Sequence, residues 1–422
     1  MRIRLYNAKI LTMNTLDITE GEIWTRDDKI EYVGAAKPCD EAFDEQIDIM
    51  GNLLMPSFKN CHTHSAMTFL RSYADDLPLQ DWLFKKVFPQ EAKLNDDRVY
   101  AFTKVAILEY LTSGITACFD MYYHRNSFAQ SCIDSSFRAV LCGGAAMDDK
   151  AEDMESEYLK FNRLHPLISY RLGLHSEYLA PIELIRDTAQ LAKKHKAPVF
   201  MHNSETEKEV AECFERHSLS PTQLFDREGI FDYGGGGFHC VYFSDEDMDI
   251  FAKRGLWAVT NPASNLKLAS GIAPICRMLD KGVKISIGTD GPASNNCLDM
   301  FREMYLTAAL QKVLTKDAAA CPADGVLKMA TVNGALTMGL DSCDTLAEGK
   351  KADIIEIDLS QPNMQPQHSL IKNLVYSGSK SNIKMTMCAG KVLYHSGEFF
   401  IGEQPQRIYE RAAEEVAALL AQ

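Results

Sequence analysis

Eight short apolar runs, separated by stretches of helical periodicity, constrain the fold of this chain more than any other feature. They lie around Phe58 to His64, Thr116 to Tyr122, Ala139 to Ala145, Tyr170 to His175, Val199 to His202, Gly237 to Val241, Leu256 to Thr260 and Lys284 to Gly288. Between them, segments such as Val99 to Thr112, Glu183 to Lys194 and Asp245 to Lys253 repeat apolar residues at helical spacing. A β-then-α unit repeated along a segment a little above ~250 residues predicts an α/β fold, a (β/α)8 barrel of the TIM type. A doubly wound open sheet is the other arrangement compatible with the pattern.

The ends of the chain have a different texture. Ile3 to Leu11, Gly21 to Trp24 and Lys29 to Gly34 alternate apolar and polar residues with Gly and Asn breaks, and the same habit returns in Ala352 to Asp358 and Met385 to Tyr394. This predicts a small β-sandwich built from both ends: residues 1–56 as its N-terminal part, 57–342 as the barrel, 343–400 as its C-terminal part. Residues 401–422 read as a terminal helix with Ala412, Val416, Leu419 and Leu420 on one face.

In a barrel of this kind the chemistry gathers at the C-terminal ends of the strands. His62 and His64 end the first run, and strand alternation points both imidazoles the same way. His175, His202 and His239 end or nearly end three others, Glu205 follows His202 by three residues, and Asp290 closes the last. Five of the 11 histidines thus terminate candidate strands. Any one of them alone is more often an ordinary polar residue than a metal ligand, and Asp290-Gly291 alone is ordinary turn chemistry. Coincidence at several ends of one barrel is what carries the inference. Imidazoles with a carboxylate suit one divalent metal ion, zinc most readily or iron, with a position left for water. A two-metal site needs a further bridging anion, in related barrels a carboxylated Lys on strand four, and Tyr170 to Tyr178 contains no Lys. The expectation is a mononuclear site.

The formal charge of -14 argues against a nucleic-acid partner, because no cluster of Lys and Arg offsets it. The 12 cysteines are scattered and form no C-x-x-C pair, so they read as reduced residues. No segment has the apolar length of a signal peptide or a membrane helix, which predicts a cytoplasmic protein with no membrane partner. Whether the chain forms a homo-oligomer is left open.

The ordered motifs resemble the amidohydrolase superfamily, and within it the deaminases acting on 5′-methylthioadenosine and S-adenosylhomocysteine. The motifs are His62-Thr63-His64-Ser65-Ala66-Met67, Leu79 to Leu83 with Val87-Phe88-Pro89-Gln90-Glu91, His175-Ser176-Glu177-Tyr178 and His202-Asn203-Ser204-Glu205-Thr206. They continue with His239-Cys240, Asn261 to Gly271 and Gly288 to Asn296, so that the resemblance spans nearly the whole chain. It implies a nucleoside substrate whose 6-amino group is replaced hydrolytically by a 6-oxo group. It also implies His62, His64, His202 and Asp290 as metal ligands, Glu205 and His239 as catalytic groups beside the metal, and Asp290 taking the attacking water's proton on an oxygen left free. Glu91 would hold the ribose hydroxyls, Arg138 and His175 would contact substrate, and Trp82 would form an apolar wall. One departure is visible. Relatives favouring S-adenosylhomocysteine have an Arg in the loop after strand three, whereas Ala145 to Asp153 has none and offers only Lys150. Deamination of guanine, an oxidised purine, a pterin or cytosine, dechlorination of s-triazines, and a metal-free scaffolding role are the competing readings.

Overall fold

The computed structural model describes residues 1–77 and 79–421; the side chains of Leu79 and Gln80, within the motif above, and Gln422, within the expected terminal helix, lie outside that description. Eight parallel strands form one sheet in sequence order: β1 (Phe58–Thr63), β2 (Ile115–Asp120), β3 (Arg138–Cys142), β4 (Ile168–Gly173), β5 (Val199–Asn203), β6 (Gly235–His239), β7 (Trp257–Thr260) and β8 (Lys284–Ile287). Thr289 and Asp290 donate their backbone N–H groups to His62 O at 3.2 and 2.9 Å, drawing the end of β8 onto β1 so that the sheet closes into a barrel. Each of the eight apolar runs read from the sequence overlaps one of these strands, with ends displaced by no more than three residues.

The barrel interior is packed rather than open. Phe119, Phe200 and Phe238 fill it, and the Phe238 ring stacks 3.9 Å from that of His62, making an apolar floor beneath the strand-end residues.

The two chain ends contribute to one nine-stranded mixed sheet. Its centre is the antiparallel pairing of Leu53–Pro56 with Ile354–Ile357; Arg2–Leu11 pairs with the former and Ile383–Cys388 with the latter. A separate apolar cluster including Ile3, Leu5, Ile10, Leu54, Ile354 and Met387 lies against this sheet. Pro405–Leu420 is helical, with Ile408, Ala412 and Leu419 buried against the helix Asp96–Thr112. Leu420, expected on the same face, is 53% exposed because it follows Leu419 by one residue, about 100° further round the helix, at the edge of the buried stripe. All 12 cysteines are free, and among the described residues no helix is long and apolar enough to cross a membrane.

Candidate active site

The loop ends of the strands converge on a cavity at the C-terminal mouth of the barrel. The His62 and His64 rings stand 4.9 Å apart by their centroids, as expected for alternate residues leaving one strand. His64 donates its Nδ1–H to Met121 O at 2.5 Å, and His202 donates its own to His175 O at 2.7 Å. Each backbone carbonyl accepts the Nδ1–H and leaves Nε2 facing the cavity. Burial keeps His202 neutral. For His64 burial is outweighed by Asp290, which raises the pKa to about 9 and places on Nε2 a proton that a bound cation would displace. His62 is fully buried; burial lowers its pKa to about 3, so it is neutral, and neither ring nitrogen has a hydrogen-bond partner among the described residues.

Asp290 follows β8 with φ of +60°, a left-handed backbone that turns its carboxylate back over the barrel mouth. Its Oδ1 lies 3.4 Å from His62 Nε2 and 3.2 Å from His64 Nε2. Burial raises its proton affinity, but the two imidazoles outweigh this and hold the carboxyl well below the usual range. Ligating atoms of His62, His64 and Asp290, and of His62, His202 and His239, lie within 4.8 Å of one another in each group. A fully buried imidazole without a partner, set among other imidazole nitrogens that face the same space and one ionised carboxylate, is the arrangement a divalent cation satisfies. The residues present fit such an ion.

The second Asp290 oxygen is not free, which corrects the sequence-based expectation. Ser264 and Ser294 donate hydroxyls to Oδ2 at 2.6 and 2.8 Å. The reason is local: the loops after β7 and β8 both fold over Asp290, and each brings a serine.

His239 and Cys240 leave β6 with φ of +73° and +52°. His239 donates Nδ1–H to Asn265 Oδ1 at 2.7 Å, and its Nε2 stands 3.9 Å from Glu205 Oε2. Glu205 follows Ser204, itself at φ +52°, and its Oε1 accepts a hydrogen bond from Ser270 Oγ at 3.1 Å. Behind it, Glu209 accepts the backbone N–H groups of Ser204 at 3.1 Å and Glu205 at 2.7 Å. Glu209 lies in the first turn of the helix Glu207–His217, where Thr206 Oγ1 caps its N–H at 3.1 Å. Burial and the neighbouring Glu205 push the Glu209 carboxyl up to about 7.

One wall of the cavity comes from the segment Leu79–Glu91, which contributes Trp82, Leu83, Phe88 and Glu91. Glu91 is nearly buried and accepts a hydrogen bond from Tyr122 OH at 2.6 Å; burial raises its pKa and the tyrosine opposes the shift. His175 also lines the cavity, its ring 4.6 Å from that of His202, and burial lowers its pKa to about 3. The cavity encloses about 790 Å³ when the open space at its mouth is counted.

Two expected contacts lie elsewhere. Arg138 opens β3 at the opposite end of the barrel, buried, with Nη2 donating to Asp353 Oδ1 at 3.0 Å and Nε to Oδ2 at 3.2 Å. It is the first residue of its strand, and only residues at the strand's far end reach the cavity; as a substrate contact it is therefore corrected. Lys150 is exposed at the N-cap of the helix Ala151–Leu164, outside the cavity lining. Sequence reasoning missed Tyr122, Ser264, Asn265, Ser294 and Glu209. The Thr206-x-x-Glu209 spacing was a readable capping signal; the serines and Asn265 sat inside quoted motifs, and Tyr122 is the last residue of a run already identified.

A family model described as amidohydrolase matches residues 53–393. The chain belongs to the amidohydrolase family. This amidohydrolase is 36% identical over 416 residues to the 5-methylthioadenosine/S-adenosylhomocysteine deaminase of Caldicellulosiruptor saccharolyticus, covering 97% of each chain. It is 37% identical to the 5′-deoxyadenosine deaminase of Methanothermobacter thermautotrophicus, covering 94% of this chain and 95% of that one. Among solved structures, an adenosine deaminase of Xanthomonas campestris with bound zinc superposes with a TM-score of 0.91 at 28% identity, covering 100% of this chain and 98% of that one. An atrazine chlorohydrolase of Arthrobacter aurescens, at 20% identity and a TM-score of 0.88 over 99% of both chains, shares the amidohydrolase fold.

Proposed function

We propose that this amidohydrolase deaminates an adenine nucleoside, replacing the 6-amino group by a 6-oxo group with release of ammonia. The observation that carries the reading is one cavity holding, besides Asp290, two separate carboxylates with different work: Glu205 beside His239 and the ligand group, and Glu91 on the wall formed by Leu79–Glu91. A free base has no use for the second; a ribose diol does, since a carboxylate accepts two hydroxyl hydrogen bonds. Relatives at 36 and 37% identity that act on adenine nucleosides support the same class.

His62, His64, His202 and Asp290 would hold one divalent ion, with zinc favoured by an imidazole-rich set and iron second. When bound, that ion lowers the pKa of water and supplies Lewis acidity at the barrel mouth. Glu205 delivers a proton to N1 of the purine, so that C6 accepts an incoming oxygen without opposing negative charge on the ring. His239, its Nδ1 proton held by Asn265, presents the Nε2 lone pair toward the same space and orients the attacking water by accepting its hydrogen bond. Asp290 takes the water's proton at Oδ2 as one of the Ser264 and Ser294 hydroxyls turns away, and passes it to the departing ammonia, whereupon both hydroxyls again hold the carboxylate ionised. Trp82 and His175 close the walls around the base, excluding bulk water.

An ammonia-release assay on adenosine, 5′-methylthioadenosine, 5′-deoxyadenosine and S-adenosylhomocysteine, run beside guanine and cytosine, tests the proposal. Turnover of the nucleosides with at least tenfold lower kcat/KM for the free bases is expected; preferential turnover of guanine or cytosine would displace it.

A further inference from the structure

Among the described residues lining the cavity, Arg125 is the only Lys or Arg. It starts the helix Arg125–Asp134, one residue after His124 at φ +49°, and so reaches across to the loop that follows β3. That loop begins with Gly143 and Gly144, and a Cβ added at Gly144 would stand 3.7 Å from Arg125 Nη2. The missing side chain leaves this edge of the guanidinium open to the cavity.

The rest of the guanidinium is committed. Nε donates to Cys142 O at 3.3 Å, and Nη1 donates to Glu157 Oε1 at 3.1 Å and Oε2 at 2.9 Å. Tyr170 OH, fully buried, donates to the same Glu157 Oε2 at 3.0 Å and fixes the carboxylate in place. Nη2 makes no hydrogen bond among the described residues. The pair therefore offers the cavity the two N–H donors of Nη2 with almost no net charge. A substrate carboxylate at Nη2 would meet a cation already neutralised and a second carboxylate close behind it; a neutral group would lose nothing. Apolar Trp82, Leu83, Phe88 and Met121 supply much of the remaining wall.

We propose that Glu157 is a specificity-determining residue, masking Arg125 so that the cavity gains nothing from a carboxylate on the 5′ substituent and favours uncharged 5′ groups. The inference rests on the nucleoside-deaminase reading above. It predicts that removing the negative charge of Glu157, with its hydrogen-bonding shape retained, unmasks the cation.

The test compares S-adenosylhomocysteine with its carboxamide, identical except for charge at that end, on the metal-loaded full chain. In the wild type the carboxylate-to-carboxamide ratio of kcat/KM should be near one or below. Glu157→Gln, whose amide oxygen still accepts from Arg125 and Tyr170, should raise that ratio about tenfold, a 1.4 kcal/mol gain of the size a charge-assisted hydrogen bond supplies. The double variant R125M/E157Q should return it toward the wild-type value. A wild-type ratio of ten or more, an unmoved ratio in E157Q, or a gain that survives in the double variant would each overturn the masking role. Should E157Q not fold, the wild-type ratio still decides. Turnover of 5′-methylthioadenosine in the same preparations separates the two claims: its absence defeats the nucleoside reading, whereas its presence with a wild-type preference for the carboxylate defeats the mask alone.

Discussion

His64 and His202 each give their Nδ1 proton to a backbone carbonyl, so the nitrogen offered to a cation is set by the fold before any ion arrives. His202→Ala should cut bound metal from about one equivalent to below about a tenth, measured by elemental analysis after gel filtration; a fully loaded, active variant would remove His202 from the ligand set. Glu205→Gln should retain metal and lower kcat by roughly 10²-fold or more, the scale of a lost general acid, and retention of most turnover would contradict its role. Two buried carboxyls behind the site give a pH dependence of known sign. Burial pushes Glu209 up to about 7, with Glu205 adding to the shift, and pushes Glu303 up to about 8, where it accepts from Ala263 N and Asn295 Nδ2. Between the ordinary glutamate range and those values the folded chain holds protons that the unfolded chain has released. Stability conferred at low pH is thus lost as pH rises, by at most ~1.4 kcal/mol per pH unit for each group. Glu303→Gln should flatten the fall in denaturant midpoint from about pH 5 to 8; a slope as steep as wild type would show that Glu303 does not ionise there.

Strand ends are where the sequence was most informative, because a barrel forces residues distant in the chain to share one mouth. His62, His64, His202, His239 and Asp290 were legible for that reason, and Glu91 through its motif. What was not legible depends on side-chain paths between neighbouring units. Ser264 and Ser294 meet Asp290 only because two loops fold together, and Arg125 enters the cavity from the unit before the loop in which an Arg was sought. Arg138 rested on the family resemblance alone, and as the first residue of β3 it lies at the strand end away from the mouth, where it meets Asp353. Backbone crowding at these ends is itself testable. A Cβ on Gly288 would stand 2.5 Å from Asn261 Oδ1 and 2.7 Å from His62 N. Gly288→Ala should therefore displace His62, and metal content should fall together with melting temperature; normal metal content would show that the strand end relaxes.

Across the whole molecule, one buried ion cluster ties the barrel to the mixed sheet. Asp353, at the entry to Ile354–Ile357, accepts from Arg138, from Thr116 Oγ1 at 3.3 Å and from Ala389 N at 2.8 Å, with Lys59 Nζ 3.8 Å away. Arg138→Ala should cost about 3–5 kcal/mol by leaving Asp353 buried without its main partner. Chemical denaturation measures this, and folded protein should keep its metal; a loss below about 1 kcal/mol would show water reaching the carboxylate. The mixed sheet from both chain ends was legible as a pattern of alternation, while this joint was not, since its members lie far apart in sequence. The central claim joins both scales: the barrel mouth brings water to C6 of an adenine nucleoside. Turnover of 5′-methylthioadenosine in ¹⁸O-labelled water, read by mass spectrometry with ammonia measured in parallel, tests it most directly. The account predicts one ¹⁸O in the purine, the thioether and glycosidic bond intact, and one ammonia per nucleoside consumed; unlabelled purine, a cleaved glycosidic bond, or an unreacted nucleoside with fully metal-loaded protein would contradict it.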